Sequence, residues 1–405
     1  MSLHTVLKKL LSAGMISALG IASITGLTCS FFITRFQGFN GLSSEVLHTL
    51  EIALVYLIAW GITTEAFING GHSAREEWTS LWRRLVLYLT VALAMRGIAV
   101  ALAAQVVGIK EVLMVAAGLT ATDPAAVGIA LALAKGGHSV KTATASFAWL
   151  ASIESMLNDG EGLVLFEFAR HTTISIVLLA LFHTFLLAFL IASADAWTRW
   201  AIRNLGRATE FEPYLEVGLV CFIYILGFYI GYHLGISAIL TAAVAAVLAN
   251  WWMHLLQPER DYRQHERIRQ NLNDLWSQVG LGGVFAVAVA VIPYTQFVAE
   301  PLLLAKAAVL LLSIALSRVL FEFIGVFYNA TPRFPWGSAL IGVVSVGTST
   351  CLLGVPTVVG IALAAHGHQE DANLVFATIL LSWTTVWPTV KFMQWVDRKL
   401  EVQTL

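Results

Sequence analysis

Twelve apolar runs, each about twenty residues or longer, set the strongest limit on how this chain can fold. They lie at about 11–34, 46–70, 82–107, 110–133, 141–168, 172–195, 214–233, 235–255, 277–296, 302–328, 337–364 and 373–395. A helix needs about 20 apolar residues to cross the hydrocarbon core of a bilayer. Only 12% of the 405 residues are charged, against about 25% in soluble domains. The pattern therefore predicts an all-α polytopic membrane protein with about twelve transmembrane helices.

The loops on one side of the predicted membrane carry most of the 24 lysines and arginines. Positive residues concentrate in cytoplasmic loops, so both termini are predicted to be cytoplasmic and the chain to lie in the lipid bilayer of the cell (inner) membrane. The longest inner loop, 257–274, alternates in charge and is interpreted as a solvated cytoplasmic linker. A net charge of −1 argues against a nucleic-acid partner.

A polar break, Thr122-Asp123-Pro124, interrupts the fourth apolar run. Proline removes a backbone donor and breaks or kinks a helix, and it pushes the preceding residue out of the helical conformation. Such a break inside a membrane is tolerated where it is buried in protein or lines a cavity, and its freed carbonyls can bind a cation. Thr122 and Asp123 are therefore candidates for an ion site. Alternatively, Asp123 caps a half-helix that begins at Pro124.

The fifth run carries four polar residues close together, Glu154, Ser155, Asn158 and Asp159. Residues four apart share a helix face, so Ser155 and Asp159 are predicted to point one way and Glu154 and Asn158 the neighbouring way. A charge at mid-bilayer costs roughly 2.5–3.5 kcal/mol on insertion scales, so a carboxylate there is a functional candidate by default. Asp159 is the strongest candidate to bind a cation or a proton. The alternative is a buried aspartate that only satisfies a helix contact.

Together the two motifs, TDP and ESMLNDG, whose aspartates are 36 positions apart, resemble those of the sodium/proton exchangers of the monovalent cation/proton antiporter-1 family. The usual second motif is Gly-Glu-Ser-Leu-Leu-Asn-Asp-Gly, and here Ile153 replaces the leading Gly and Met156 replaces a Leu. The resemblance implies a homodimeric secondary antiporter, not an enzyme, that exchanges a cation, Na⁺ in the first place, for H⁺ without a cofactor. It also implies an NhaA-like antiporter fold with two broken helices that cross.

The resemblance also implies roles for the polar residues of these two motifs. The expected Na⁺ ligands are Asp159, Asp123, Thr122 and Ser155, with Asn158 beside them. An asparagine does not titrate, so a single exchanging carboxylate at Asp159 predicts electroneutral exchange of one cation for one proton.

Further charged residues lie inside other apolar runs, among them Arg318, Glu65 and Arg96. A buried guanidinium such as that of Arg318 needs a carboxylate partner; Glu154 and Glu322 are both candidates, and the resemblance favours a structural ion pair with Glu154. Glu65, near the inner end of the second run, either serves a cation entrance or extends to the membrane interface. Arg96 has no partner that the sequence identifies.

Two inverted repeats, 11–168 and 235–395, are predicted within a single transmembrane domain, 1–405. Inverted repeats with broken helices are common in secondary transporters. The eleventh run would then be the counterpart of the fourth, with a second break near its middle formed by Gly347, Thr348, Ser349, Thr350, Gly354 and Pro356. This run lacks the Gly-Leu-Arg-Gly sequence that the family usually carries there.

Other functions use the same residues. K⁺/H⁺ exchange or Li⁺-tolerant exchange through the same site is the first alternative. A cation channel would differ from an exchanger by the absence of coupling to a proton gradient. An intramembrane hydrolase is disfavoured because proline follows Asp123, and neither a Gly-x-Gly-Asp nor a His-Glu-x-x-His sequence occurs.

Overall fold

Every secondary-structure element in the described part of the chain is a helix. The structure is a computed structural model and describes residues 15–69, 91, 94–121, 162, 169, 174–205, 212–256, 279–329 and 352–402. Its α-helices are α1 (Met15–Cys29), α2 (Ser44–Asn69), α3 (Ala94–Val106), α4 (Val112–Thr120), α5 (Ile174–Leu205), α6 (Glu212–His233), α7 (Ala238–Leu256), α8 (Leu281–Val291), α9 (Tyr294–Ala299), α10 (Pro301–Asn329), α11 (Gly354–Ala365) and α12 (Gln369–Val402). A short π-helix, Ser30–Thr34, and a 3-10 helix, Gly38–Gly41, follow α1. The linker 257–274 and nearly all of the fifth run lie outside the described residues.

Several predicted runs differ from the helices that form, among them the twelfth, predicted at 373–395, which extends over Gln369–Val402 as α12. The sixth run was predicted to end at 195, but α5 continues to Leu205. Its Arg199 is buried rather than in a loop, because the guanidinium forms an ion pair with Asp195 one turn earlier. The ninth run is not continuous: α8 ends at Val291 and α9 begins after Pro293. A proline has no backbone N–H for a helix interior, which accounts for the interruption.

Three of the described helices are long and apolar enough to cross a membrane. The qualifying stretches are Ser44–Gly61 of α2, Leu178–Ile202 of α5 and Pro301–Leu320 of α10. On α5, Phe182, Phe185 and Phe189 are largely exposed. An apolar exterior of this extent suits a hydrocarbon surrounding better than water.

The chain divides into two compact units, each built from separate stretches of sequence. The first unit comprises Met1–Ala18, Ile52–Trp82 and Glu167–Gly283. Within it, α5 packs against α6 and α7. The side of α7 that faces its neighbours is formed by alanines with almost no exposed surface, namely Ala242, Ala245, Ala246 and Ala249. Small residues let helix backbones approach closely, so these alanines allow α7 to pack tightly inside the first unit.

The second unit comprises Leu19–Glu51, Arg83–Phe166 and Val284–Leu405. Within it, α10 and α11 pack along α12, and α4 packs against α11. The nine residues of α4 span about 14 Å at 1.5 Å per residue, which is less than half of the roughly 30 Å hydrocarbon core. Two short, buried helices, α4 and α11, thus lie side by side in this unit.

Candidate functional site

The short helix α4 ends where the fourth run was predicted to break. Its last residue is Thr120, and Ala121 after it has an extended backbone (φ −70°, ψ 121°). All residues from Met114 to Ala121 are buried. The described chain stops at Ala121, directly before Thr122-Asp123-Pro124. The helix end therefore lies inside the protein, where its last carbonyls need partners other than water.

One of these carbonyls is bound by Arg96, whose partner the sequence did not reveal. The guanidinium Nη1 donates a hydrogen bond to the carbonyl oxygen of Thr120 at 3.3 Å. Only 1% of Arg96 is exposed. A buried cation thus lies at the C-terminal end of α4, which carries the negative end of the helix dipole.

The second break was predicted in the eleventh run, 337–364, and α11 begins within that run, at Gly354. Leu352 and Leu353 are buried and non-helical, and the helix starts at Gly354 with Pro356 in its first turn. The peptide groups of Leu352 are bound by α12: its N–H donates to Ser382 Oγ at 3.0 Å, and its carbonyl accepts from Trp383 Nε1 at 3.0 Å. The break is therefore held by side chains of the neighbouring helix.

Two glycines allow the helices around the first break to approach closely. A Cβ built on Gly118 of α4 would lie 2.7 Å from Val359 Cγ2 of α11. A Cβ built on Gly162, in the fifth run, would lie 2.9 Å from the carbonyl oxygen of Ala117 and 3.1 Å from Ala121 Cβ. Cβ atoms essentially never come within 3.0 Å of another heavy atom, so both contacts depend on the absence of a side chain.

The start of α4 is also bound by a charged group. Asp371, in the first turn of α12, accepts hydrogen bonds from the backbone N–H of Lys110 at 3.3 Å and of Glu111 at 2.9 Å. Its side chain is buried. An acidic residue at a helix N-terminus stabilises the positive end of the helix dipole.

Few of the predicted site residues fall in the described part of the chain. Arg318 lies in α10 and is fully buried, as an interior ion pair requires. Glu65 belongs to α2 and Glu322 to α10, but their side chains are outside the description. The remaining predicted residues, Thr122, Asp123, Glu154, Ser155, Asn158 and Asp159, also lie outside the described residues.

Sequence reasoning missed Asp371, Ser382 and Trp383, along with the partner of Arg96. Each of these side chains binds a backbone group, and a backbone partner leaves no pattern in the sequence. The pair Asp195 and Arg199 had a detectable signal, because opposite charges four residues apart share a helix face.

The described residues form only helices, and two short buried helices meet beside breaks in the fourth and eleventh apolar runs, an arrangement typical of secondary membrane transporters. A family model described as "Sodium/hydrogen exchanger, transmembrane" matches residues 10–395, and the chain belongs to this family. It is therefore an integral membrane cation/proton antiporter and not an enzyme. The ions are its substrates, and it requires no cofactor.

A solved structure has the same fold. The sodium proton antiporter MjNhaP1 from Methanocaldococcus jannaschii, determined at pH 8, aligns over 94% of this chain and 96% of its own with a TM-score of 0.62. The two sequences are 15% identical, so the likeness establishes the fold alone. No curated protein matches the chain.

Proposed function

We propose that this antiporter exchanges Na⁺ for H⁺ at a site formed by Asp159, Asp123, Thr122 and Ser155, with Asn158 beside them. The observation that carries the proposal is the close approach of Gly162 to Ala117 and Ala121 at the end of α4. This contact joins the chain segments to which both predicted motifs belong.

Chain length limits how far the two motifs lie from that contact. Consecutive Cα atoms are about 3.8 Å apart. Asp123 follows Ala121 by two residues, so their Cα atoms are within about 8 Å of each other; Asp159 precedes Gly162 by three residues, so theirs are within about 11 Å. Both aspartates thus belong to chain segments that meet at this buried helix end, which supports assigning them to one cation site.

In the proposed mechanism, Na⁺ and H⁺ compete for the Asp159 carboxylate. Carboxylate, hydroxyl and carbonyl oxygens suit a hard cation, and Asp123, Thr122 and Ser155 would supply them. When a proton replaces the cation, the site loses its charged ligand and releases Na⁺ to the side that is open. The buried Arg318 would pair with Glu154 as a strut, and Glu65 would serve the cation entrance.

The decisive experiment is Asp159→Asn in proteoliposomes that contain a pH indicator. If Asp159 carries both ions, the variant loses Na⁺-driven proton movement and ²²Na⁺ uptake while remaining folded by size-exclusion chromatography. The matched control is Glu300→Gln, which neutralises an exposed acidic residue between α9 and α10 and should keep wild-type exchange. Exchange above the empty-liposome background in Asp159→Asn would refute the assignment.

The cation is tested with the same liposomes. Gradients of Na⁺, Li⁺ and K⁺ imposed in turn should give the fastest proton movement with Na⁺. A clearly higher rate with K⁺ would make the protein a K⁺/H⁺ exchanger that uses the same residues. Cation flux without coupled proton movement would indicate a channel.

We infer one-for-one exchange from Asn158, which does not titrate. With a single exchanging carboxylate, the loaded site has the same charge with either ion, so a membrane potential should not drive turnover. The measurement is Na⁺-driven proton flux at voltages clamped with K⁺ and valinomycin. A rate that follows the clamped voltage, with a steady current on a solid-supported membrane, would contradict electroneutrality.

The same proposal places the chain in the lipid bilayer of the cell membrane as a homodimer with cytoplasmic termini. The orientation rests on the concentration of lysine and arginine in alternate loops. A green fluorescent protein fused to the C-terminus should fluoresce, because it folds in the cytoplasm. Cross-linking in native membranes should give a species of twice the 44.0 kDa chain mass, and a monomer alone would exclude the dimer.

A further inference from the structure

Arg96 of α3 occupies a place in the fold that the proposed exchange mechanism does not use. It is almost completely buried, and its Nη1 donates to the carbonyl oxygen of Thr120, the last residue of α4. Thr120 is separated from Thr122 by a single residue. The contact therefore lies two residues from the first predicted cation ligand along the chain.

Helix α4 is too short to be stable by itself. An isolated helix of fewer than about 12 residues is marginal in water even with favourable sequences, and α4 has nine. Its two ends are instead held by opposite charges. The Asp371 carboxylate binds the backbone N–H groups that precede its N-terminus, and the Arg96 guanidinium binds its C-terminus.

These two charges match the helix dipole. The aligned peptide groups place roughly half a positive charge at the N-terminus and half a negative charge at the C-terminus. The Arg96 guanidinium lies at the negative, C-terminal end of α4, where a positive charge is favourable. The carbonyl oxygen of Thr120 thus has a hydrogen-bond donor within the protein, the Arg96 guanidinium.

Helix α3 is itself anchored, which makes Arg96 a fixed reference point. Ser313 Oγ of α10 donates to the carbonyl oxygen of Ala99 at 3.2 Å, and Ala99 lies one turn after Arg96. Ser313 is five residues from the buried Arg318 on the same helix. A chain of contacts thus runs from α10 through α3 to the end of α4.

We propose that Arg96 is a positioning residue that fixes the end of α4 and thereby sets the geometry of the cation ligands that follow Ala121. Arg96 does not bind the transported cation. It holds the Thr120 carbonyl in place, so that Ala121 leaves the helix in one direction. This role rests on the proposed function, because it acts through the ligands assigned there.

The test compares Arg96→Gln and Arg96→Lys with the wild-type protein in proteoliposomes. If Arg96 positions the ligands, Arg96→Gln raises the KM for Na⁺ roughly tenfold, a change that corresponds to about 1.4 kcal/mol. Arg96→Lys retains the charge and one donor, and it should restore the KM to within about threefold of wild type. A variant that merely folds less well loses active molecules and maximal rate, but the folded fraction keeps its KM.

The double variant Asp195→Asn/Arg199→Gln is the matched control. It removes another fully buried arginine together with its partner, and it should leave the KM for Na⁺ within twofold of wild type. An equal rise in KM in this control would overturn the proposal, since the effect would then follow the loss of any buried arginine.

Three other results would overturn the proposal. The first is an unchanged KM for Na⁺ in folded Arg96→Gln. The second is a lower KM, which would mean that Arg96 acts by repelling the cation. The third is failure of both Arg96 variants to fold. Asp159→Asn, measured in parallel, separates the two hypotheses. If Asp159→Asn retains exchange, the proposed site is wrong; if it loses exchange while Arg96→Gln keeps its KM, only the role of Arg96 is wrong.

Discussion

Gly118 and Val359 bring the two short helices of the second unit into direct contact. A methyl group at Gly118 would come within 2.7 to 2.9 Å of three carbon atoms of the Val359 side chain. Both residues are buried. The contact sets the distance between α4 and α11, and with it the relation between the breaks at Ala121 and Leu353.

We expect Gly118→Ala to destabilise the protein and slow exchange, because one additional carbon in a packed interior costs about 1–3 kcal/mol. The matched control is Gly218→Ala in α6, where nothing lies within 4 Å of the added carbon. There the better helix propensity of alanine should give no loss, or a gain of up to about 1 kcal/mol. Thermal unfolding in detergent, followed by tryptophan fluorescence, measures both variants. Equal melting temperatures would show that α4 and α11 are not held at this distance.

Asp371→Ala should also lower thermal stability. The change leaves the N–H groups of Lys110 and Glu111 without their acceptor, and a hydrogen bond to a charged group contributes about 1.5–3 kcal/mol. The neighbouring Glu370 forms an exposed pair with Lys110 at 3.1 Å, and such surface pairs contribute about 0–1 kcal/mol. Glu370→Ala should therefore melt close to wild type. The interpretation would be wrong if the two variants lost stability to the same extent.

The buried pair in the first unit predicts a different pattern. Arg199 donates to both carboxylate oxygens of Asp195 at 2.5 and 2.6 Å, and Tyr224 donates to the same carboxylate at 3.3 Å. Replacing one partner of a buried pair costs about 3–5 kcal/mol because the other charge is left uncompensated, and replacing both removes that penalty. Asp195→Asn should lower the melting temperature sharply, and Asp195→Asn/Arg199→Gln should recover much of the loss. A double variant less stable than the single one would contradict this coupling.

The ion-pair partner of Arg318 can be identified by comparing variants of the two candidate glutamates. Glu154→Gln should reduce thermal stability by the roughly 3–5 kcal/mol expected for one side of a buried ion pair. Asp159→Asn should reduce it less, because the proposed carrier must tolerate protonation. If Glu322→Gln instead caused the larger loss, Arg318 would pair with Glu322 and the proposed strut would be misassigned.

The sequence was sufficient to predict a helical membrane transporter and its family. The apolar runs are long because the bilayer has a fixed thickness, so they predict α2, α6, α7 and α10 with boundaries within about three residues. The end of α4 was also predictable, because Pro124 limits how a helix can continue. The predicted boundaries were wrong in the ninth run, which Pro293 interrupts, and in the sixth run, which continues past the buried Asp195–Arg199 pair.

Tertiary structure alone decided which groups hold the two breaks. Arg96, Asp371, Ser382 and Trp383 bind backbone atoms that lie 24 to 261 residues away along the chain. Every residue has the same N–H and C=O groups, so the identity of such a partner is not encoded by any neighbouring side chain. It emerges only when packing, including the close approach at Gly118, brings a particular carbonyl or N–H within reach of a buried side chain.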